Sequence, residues 1–308
     1  MEQVNEIAAL VAPPEPARAI PVAAKALVFF NDKAGSVGPK DRERLVEALG
    51  ACDIGQYALI DAKKISRKLF QRADEFDVII VLGGDGTARA AAELAPRDGP
   101  PLVLLPGGTL NVLPRALYGD LAWPEALRAA LERGEVRRLP MARANDKAFY
   151  VAAMFGNTAL FARAREAVRE GKPLTAWRRF RVALRRSFSR SLRARHSANR
   201  MEKVEAVGVL LPTFSGGLEA DDIEWVRLEA RHLLDLARIG VRALTSSWRK
   251  DPSIEICRCK TGDIEARFGV VYAVLDGEPH TFMQRVHLKY DPRGPRVLAL
   301  EQEEDKAG

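Results

Sequence analysis

Val78-Ile-Ile-Val-Leu-Gly-Gly-Asp-Gly-Thr87 is the most informative segment of this sequence, and Leu102-Val-Leu-Leu-Pro-Gly-Gly-Thr-Leu-Asn111 repeats its pattern. In each segment, a run of aliphatic residues ends abruptly in glycines and a threonine. A continuous apolar run is typical of a buried parallel strand, and ligands of parallel sheets bind beyond the carboxyl ends of the strands. The two segments therefore predict adjacent strands whose glycine turns meet at one crevice.

The chemistry of these two turns favours phosphate binding. Glycine lets backbone amides approach an anion closely, and neighbouring N–H groups can form a phosphate cradle. Thr87 and Thr109 add hydroxyl donors, and the Asp85 carboxylate offers the oxygen ligands that magnesium prefers. A single Gly-Gly-Asp-Gly is also an ordinary turn, but two strand ends that both carry glycine and threonine favour a nucleotide site. The candidate nucleotide-binding residues are Asn31, Gly83, Gly84, Asp85, Gly86, Thr87, Gly108, Thr109 and Asn111.

Two common phosphate-binding motifs are excluded. No Lys-Ser or Lys-Thr pair follows the glycines, so the segments do not form a P-loop. The spacing G-x-G-x-x-G is missing as well, which argues against the dinucleotide fingerprint.

The glycine turns and three further segments resemble the catalytic domain of the diacylglycerol kinase and sphingosine kinase superfamily, with the soluble bacterial lipid kinases as the nearest group. The resemblance covers roughly residues 22–300 and keeps the family's motif order. NAD kinases share Gly-Gly-Asp-Gly-Thr and the fold, so they remain a close alternative. The segments that carry the resemblance are Phe30-Asn-Asp-Lys-Ala-Gly35, Gly83-Gly-Asp-Gly-Thr87, Pro106-Gly-Gly-Thr-Leu-Asn111, Phe149-Tyr-Val-Ala-Ala-Met-Phe-Gly156 and Leu275-Asp-Gly-Glu-Pro279.

The resemblance implies a kinase of lipid metabolism, including phospholipid biosynthesis, that uses ATP and Mg²⁺ to phosphorylate the hydroxyl of a diacylglycerol-like lipid. It implies Asp276 as the general base and Glu278 as a residue that assists the metal or orients the base. Asp85 would bind magnesium, whereas the sphingosine kinase branch implies that this acid is itself the base. Asp276-Gly277 is also the type of pair found in hairpin turns, and that interpretation stays open.

Departures from the family pattern leave the lipid undetermined. Asp32 stands where the family usually has proline, and Val112 stands where many diacylglycerol kinases have aspartate. Sphingoid-like substrates therefore remain open. Asp221-Asp-Ile-Glu224 partly matches an acidic loop that binds a structural magnesium in some members, with Asp221 and Glu224 as ligands, although a solvated acidic turn is the alternative. A catalytically inactive regulator that binds lipid or nucleotide is the non-enzyme alternative.

Charge is concentrated in one segment of the chain. The net charge is +7, yet residues 161–200 contain thirteen basic and only two acidic residues. Within residues 174–192, apolar side chains recur every three or four positions with arginines between them, which predicts a basic amphipathic helix. Such a helix suits an anionic membrane surface. The alternatives are a solvated helix packed on the protein, or nonspecific binding of nucleic acid; no specific nucleic acid partner is expected, and a homo-oligomer is left open.

Composition predicts a cytoplasmic protein, and the predicted basic helix adds a peripheral association with membranes. No apolar run reaches the roughly 18 residues of a membrane span, and the acidic N-terminus argues against a secretory signal. Cys52, Cys257 and Cys259 do not suggest a disulfide framework.

The predicted elements divide the chain into two domains. Alternating strands and helices predict an α/β domain with a parallel sheet over residues 22–138, including strands 24–30, 56–60, 78–82 and 102–105 and helices 41–49, 63–72, 88–94, 110–117 and 124–133. A mainly antiparallel β-sandwich is expected over residues 139–300, with the basic insert at 161–200, strands 149–154, 203–211, 225–230, 253–258, 263–268, 270–275, 287–290 and 296–299, and a helix at 232–240. Residues 1–21 and 301–308 are expected to be disordered.

Overall fold

The structure is a computed structural model that describes residues 20–21, 24–38, 40–156, 192–197, 199–215, 218, 221–228 and 254–301. Most of the predicted basic helix 174–192 and the whole predicted helix 232–240 lie outside the described residues. The same holds for nearly all of the two terminal segments that were expected to be disordered.

The first domain has the predicted parallel sheet. Its strand order is β2-β1-β3-β4-β16-β5, and neighbouring strands run parallel from β2 to β16. All six residues of β3 are buried, because helices cover both faces of a parallel sheet. The elements are β1 Ala24–Phe30, α1 Asp41–Ala51, β2 Ile54–Asp61, α2 Arg67–Phe70, β3 Val78–Gly83, α3 Asp85–Leu94, β4 Leu102–Pro106, α4 Val112–Tyr118, α5 Trp123–Arg133, β5 Glu135–Arg138 and β16 Arg296–Ala299.

Two predicted helices differ in the structure. Residues 63–72 do not form one helix; 3₁₀ turns at Ala62–Lys64 and Ala73–Glu75 flank the short α2. Helix α3 begins at Asp85 instead of residue 88, directly after the N-cap Gly84. The acid of the first glycine turn therefore lies in the first turn of a helix.

Strand β16 is a correction to the predicted organisation. Residues 296–299 were expected in the antiparallel domain, but β16 pairs in parallel with β4 and antiparallel with β5. Val297, Leu298 and Ala299 are all buried. Three consecutive buried apolar residues are typical of a strand covered on both faces, which the parallel sheet provides and a one-sided antiparallel sheet does not.

The second domain is antiparallel, as predicted. Among the described residues, ten strands form one sheet in the order β13-β12-β11-β8-β14-β15-β6-β7, with β9 paired to β14 and β10 to β9. The strands are β6 Met141–Ala144, β7 Lys147–Phe149, β8 Ala152–Gly156, β9 Leu192–His196, β10 Glu202–Val204, β11 Ala206–Leu210, β12 Ile223–Leu228, β13 Ile254–Cys259, β14 Thr261–Leu275 and β15 Glu278–Asp291.

This sheet curls around its own core. Residues predicted as two strands, 263–268 and 270–275, form the single long strand β14, whose register with β15 shifts between Glu265 and Val270. The Trp225 ring of β12 covers Gly262 of β14, although β11 and β8 separate these strands in the sheet. The predicted sandwich thus takes the form of a folded single sheet. Leu192, predicted as the end of the basic helix, begins strand β9.

The predicted strand 149–154 is broken in two at Tyr150 and Val151. These two residues pack into the core of the first domain. Phe149 and Ala153, on either side of them, pack into the core of the second domain. The chain therefore crosses between the two cores at this point. None of the described helices is long and apolar enough to span a membrane.

We expect Leu298→Ala to destabilise the protein by about 2–5 kcal/mol, because Leu298 is fully buried in the first core and its truncation leaves a cavity. The matched control is Val136→Ala on the paired strand β5, where Val136 is 42% exposed and we expect a change within about 0.5 kcal/mol. Chemical denaturation measures both. Equal effects of the two substitutions would contradict the position of β16 inside the first sheet.

Candidate functional site

The two glycine turns meet at the carboxyl ends of β3 and β4, as predicted. The Gly107 N–H donates to the Gly83 carbonyl at 2.9 Å. A Cβ on Gly108 would lie 2.8 Å from the Cα of Gly84, closer than real Cβ contacts come. Glycine is therefore required at position 108, because the backbones of the two glycine turns are in contact there.

A third turn, which follows β1, joins them. Asn31 Nδ2 donates to Thr87 Oγ1 at 2.9 Å, and Lys33 N donates to Asn31 Oδ1 at 3.0 Å. Ser36 binds the second glycine turn through its backbone N–H, at 3.0 Å from the Gly107 carbonyl. A Cβ on Gly35 would lie 2.9 Å from Thr109 Oγ1. The structure therefore brings both predicted threonines and Asn31 to one edge of the sheet.

Asn111 closes its own turn. Its backbone is left-handed, with a φ of 51°. Its Oδ1 accepts from the Gly108 N–H at 2.7 Å, and its Nδ2 donates to the Gly108 carbonyl at 2.9 Å. The Asn111 side chain therefore stabilises the conformation of the second glycine turn.

Asp85 is the first residue of α3, and its side chain is partly exposed. Its Oδ1 accepts a long hydrogen bond of 3.4 Å from the Leu113 N–H at the start of α4. The first N–H groups of a helix lack intrahelical acceptors, and the helix dipole favours an anion beside them. The start of α3, enclosed by three turns, is thus suited to phosphate.

Asp276 lies in the two-residue turn between β14 and β15, so the hairpin interpretation is correct. Asp276 and Gly277 both have left-handed backbones, with φ of 45° and 86°. The turn also positions the Asp276 carboxylate against the backbone that links β7 to β8. It accepts hydrogen bonds from the N–H groups of Tyr150, Val151 and Ala152 at 2.7, 2.9 and 3.0 Å.

Burial raises the pKa of Asp276 above its usual value, although the three N–H donors and the charge of Arg89 oppose this shift. A carboxylate has about four lone-pair sites, and three are used by these amides. Asp276 is therefore a rigidly held carboxylate with acceptor capacity for one more proton donor.

Glu278 is paired with an arginine, Arg89, that was not among the predicted site residues. Arg89 Nη2 lies 2.6 Å from Glu278 Oε1, so the pair joins α3 of the first domain to β15 of the second. A sequence feature that points to Arg89 is its position four residues after Asp85, which places both on the same face of α3. Burial lowers the pKa of the nearby His280 and raises that of Tyr150.

The magnesium predictions have limited support from side chains alone. Within the part of the chain that the structure describes, no three His, Cys, Asp or Glu side chains are grouped as metal ligands. Asp221 is exposed, and Glu224 lies on β12, so the structural metal site there stays a prediction. Mg²⁺ typically binds one or two carboxylates and completes its coordination with phosphate oxygens and water, so Asp85 beside a phosphate cradle fits such an ion.

Residues 25–144 match the sequence model of the diacylglycerol kinase catalytic domain. This match confirms the resemblance found in the glycine motifs, over about two fifths of the chain. It also supports a function similar to that of a lipid kinase.

Several solved structures are similar to this chain in fold. A proposed diacylglycerol kinase from Bacillus anthracis str. Sterne has a TM-score of 0.65 and 18% identity, and the alignment covers 89% of this chain and 97% of that one. A diacylglycerol kinase from the same organism has a TM-score of 0.61 and 17% identity, with coverages of 89% and 96%. Yeast NADH kinase has a TM-score of 0.50 and 14% identity, with coverages of 96% and 90%. At these identities, the similarity concerns the fold.

Proposed function

We propose that this protein is an ATP-dependent lipid kinase that transfers the γ-phosphate of ATP to the hydroxyl of a diacylglycerol-like lipid. The observation that supports it best is the meeting of three turns at the start of α3, where two glycine backbones touch. A carboxylate from the second domain, Asp276, is held in a fixed position by three backbone N–H groups. Phosphoryl transfer depends mainly on positioning and on neutralisation of charge. The three turns would position the nucleotide, and Mg²⁺ held by Asp85 would supply the neutralising charge.

The nucleotide phosphates would bind along the glycine turns. Backbone N–H groups at the start of α3 would donate to phosphate oxygens, with Thr87 and Thr109 hydroxyls beside them. Asn31 would act indirectly, since its side chain fixes the Thr87 hydroxyl. Asp85 would hold Mg²⁺, whose charge would offset that of the phosphates.

In the proposed reaction, the lipid hydroxyl oxygen forms a bond to the γ-phosphorus. The bond between that phosphorus and the β–γ bridging oxygen breaks, ADP leaves, and the hydroxyl proton passes to a carboxylate. We assign this proton to Asp276, because burial raises its pKa and one acceptor site remains on it. Glu278 would orient the site through Arg89. The alternative acceptor is Asp85.

The lipid acceptor would come from a membrane. The support is the charge of residues 161–200 in the sequence, thirteen basic against two acidic side chains. We propose that the basic segment preceding β9, residues 174–191, docks on anionic lipid, which would make the protein cytoplasmic and peripherally membrane-associated.

The proposed activity is tested with radiolabelled ATP and Mg²⁺ against diacylglycerol, monoacylglycerol, sphingoid bases, ceramide and NAD in parallel. We expect label in the organic phase with diacylglycerol or monoacylglycerol. Transfer to NAD alone would replace the proposal with an NAD kinase. Transfer to sphingoid bases alone would keep the reaction and change the substrate class.

We expect Gly108→Ala to weaken ATP binding at least about 10-fold, because the new Cβ would force the two glycine turns apart at the phosphate cradle. Gly50→Ala in α1 is the matched control, since a Cβ there meets nothing within 4 Å. Calorimetric titration with ATP measures both proteins. Unchanged affinity of a folded Gly108→Ala protein would count against phosphate binding at these turns.

We expect Asp276→Asn to lower kcat by about 100-fold or more, as loss of a general base typically does. It should also lower the free energy of unfolding by about 1–3 kcal/mol, because asparagine has one acceptor oxygen where three N–H groups need acceptors. The control is Asp74→Asn at an exposed position. Activity within a few-fold of wild type would assign the proton to another group.

A further inference from the structure

Arg89 lies between the two halves of the proposed site. It is on α3, one helical turn after Asp85, and its side chain is only 14% exposed. Its Nη2 lies 2.6 Å from Glu278 Oε1 across the domain boundary. Its Nη1 lies 3.3 Å from Glu93 Oε2 on its own helix. Two carboxylates, one from each domain, therefore hold the guanidinium by its two Nη atoms.

The third nitrogen of this guanidinium is different. Arg89 Nε is buried and finds no hydrogen-bond acceptor among the residues that the structure describes. Buried donors in folded proteins are almost always paired, because an unpaired one loses its bonds to water without replacement. The unpaired Nε of Arg89 is therefore a hydrogen-bond donor that an acceptor atom of a bound ligand would satisfy.

The surroundings indicate the chemistry of that ligand. The phosphate cradle begins one turn earlier on the same helix, and arginine N–H groups form strong bonds to phosphate oxygens. The charge of Arg89 also acts on Asp276, where it opposes the rise in pKa that burial causes. The phosphorus that is attacked must lie near the group that accepts the hydroxyl proton. Of the nucleotide's phosphates, the terminal one meets both conditions.

We propose that Arg89 Nε donates a hydrogen bond to an oxygen of the terminal phosphate of the bound nucleotide, while Glu93 and Glu278 hold the guanidinium in place. This inference rests on the proposed function, since it requires ATP at the glycine turns. It gives Glu278 the role of positioning Arg89, in place of direct metal binding.

The test compares the affinities of ATP and ADP, each with Mg²⁺ and without lipid, by isothermal titration calorimetry. We expect Arg89→Gln to weaken ATP binding at least about 10-fold and ADP binding less than about 2-fold, since ADP lacks the phosphate that Arg89 contacts. Arg89→Lys keeps the charge without the planar fork and should weaken ATP binding to an intermediate degree. Arg72→Gln is the matched control, because Arg72 forms an exposed pair with Glu75 before the amino end of β3, whereas the glycine turn follows its carboxyl end.

Three outcomes would overturn the inference. Equal weakening of ATP and ADP by Arg89→Gln, or no weakening of either, would leave Arg89 as a structural ion pair between domains. If Arg89→Gln shows no cooperative thermal transition, the ATP-to-ADP ratio of Arg89→Lys decides, and a wild-type ratio overturns the inference. Wild-type protein that binds neither nucleotide overturns both this inference and the proposed function. Wild-type protein that binds ATP but phosphorylates no acceptor overturns the proposed function alone.

Discussion

The joint between the two domains depends on the carboxylate of Asp276. It accepts hydrogen bonds from the N–H groups of Tyr150, Val151 and Ala152, and these bonds hold the backbone in place between β7 and β8. The Thr213 hydroxyl donates to the Tyr150 carbonyl, and the Leu211 N–H donates to the Val151 carbonyl at 2.9 Å. Tyr150 and Val151 pack in the first core, whereas Phe149 and Ala153 on either side of them pack in the second. The hydrogen bonds that hold the candidate catalytic carboxylate therefore also set how the domains meet.

The sequence predicted those features of the fold that depend on residues close together in the chain. Uninterrupted aliphatic runs such as Val78-Ile-Ile-Val-Leu82 predicted buried parallel strands, and the glycines after them predicted close backbone approach. The Asp276-Gly277 pair predicted a tight hairpin, and the structure has one. The two interpretations of this pair, turn and site, are both compatible with the structure, since a left-handed turn residue directs its carboxylate into the joint.

Features that depend on distant parts of the chain were not predictable from pattern alone. The pairing of Arg89 with Glu278 joins residues that are remote in sequence, and neither segment alone specifies the other. The apolar run in β16 indicated a buried strand but not which sheet would accept it. The helix expected at 63–72 failed for a local reason: polar and charged residues dominate that segment, and only Phe70 of α2 is buried.

The location of β16 has a consequence for biosynthesis. A ribosome releases the chain from its N-terminus, so β1 to β4 emerge long before residues 296–299. Among the described strands, β5 joins the first sheet through β16, and β4 has no neighbour on that side until β16 is made. The translation of the parallel-sheet domain thus begins before that of the antiparallel domain and ends after it. The edge of β4 stays unpaired while the antiparallel domain is made. The parallel sheet can therefore be completed only after the residues of β16 have been translated.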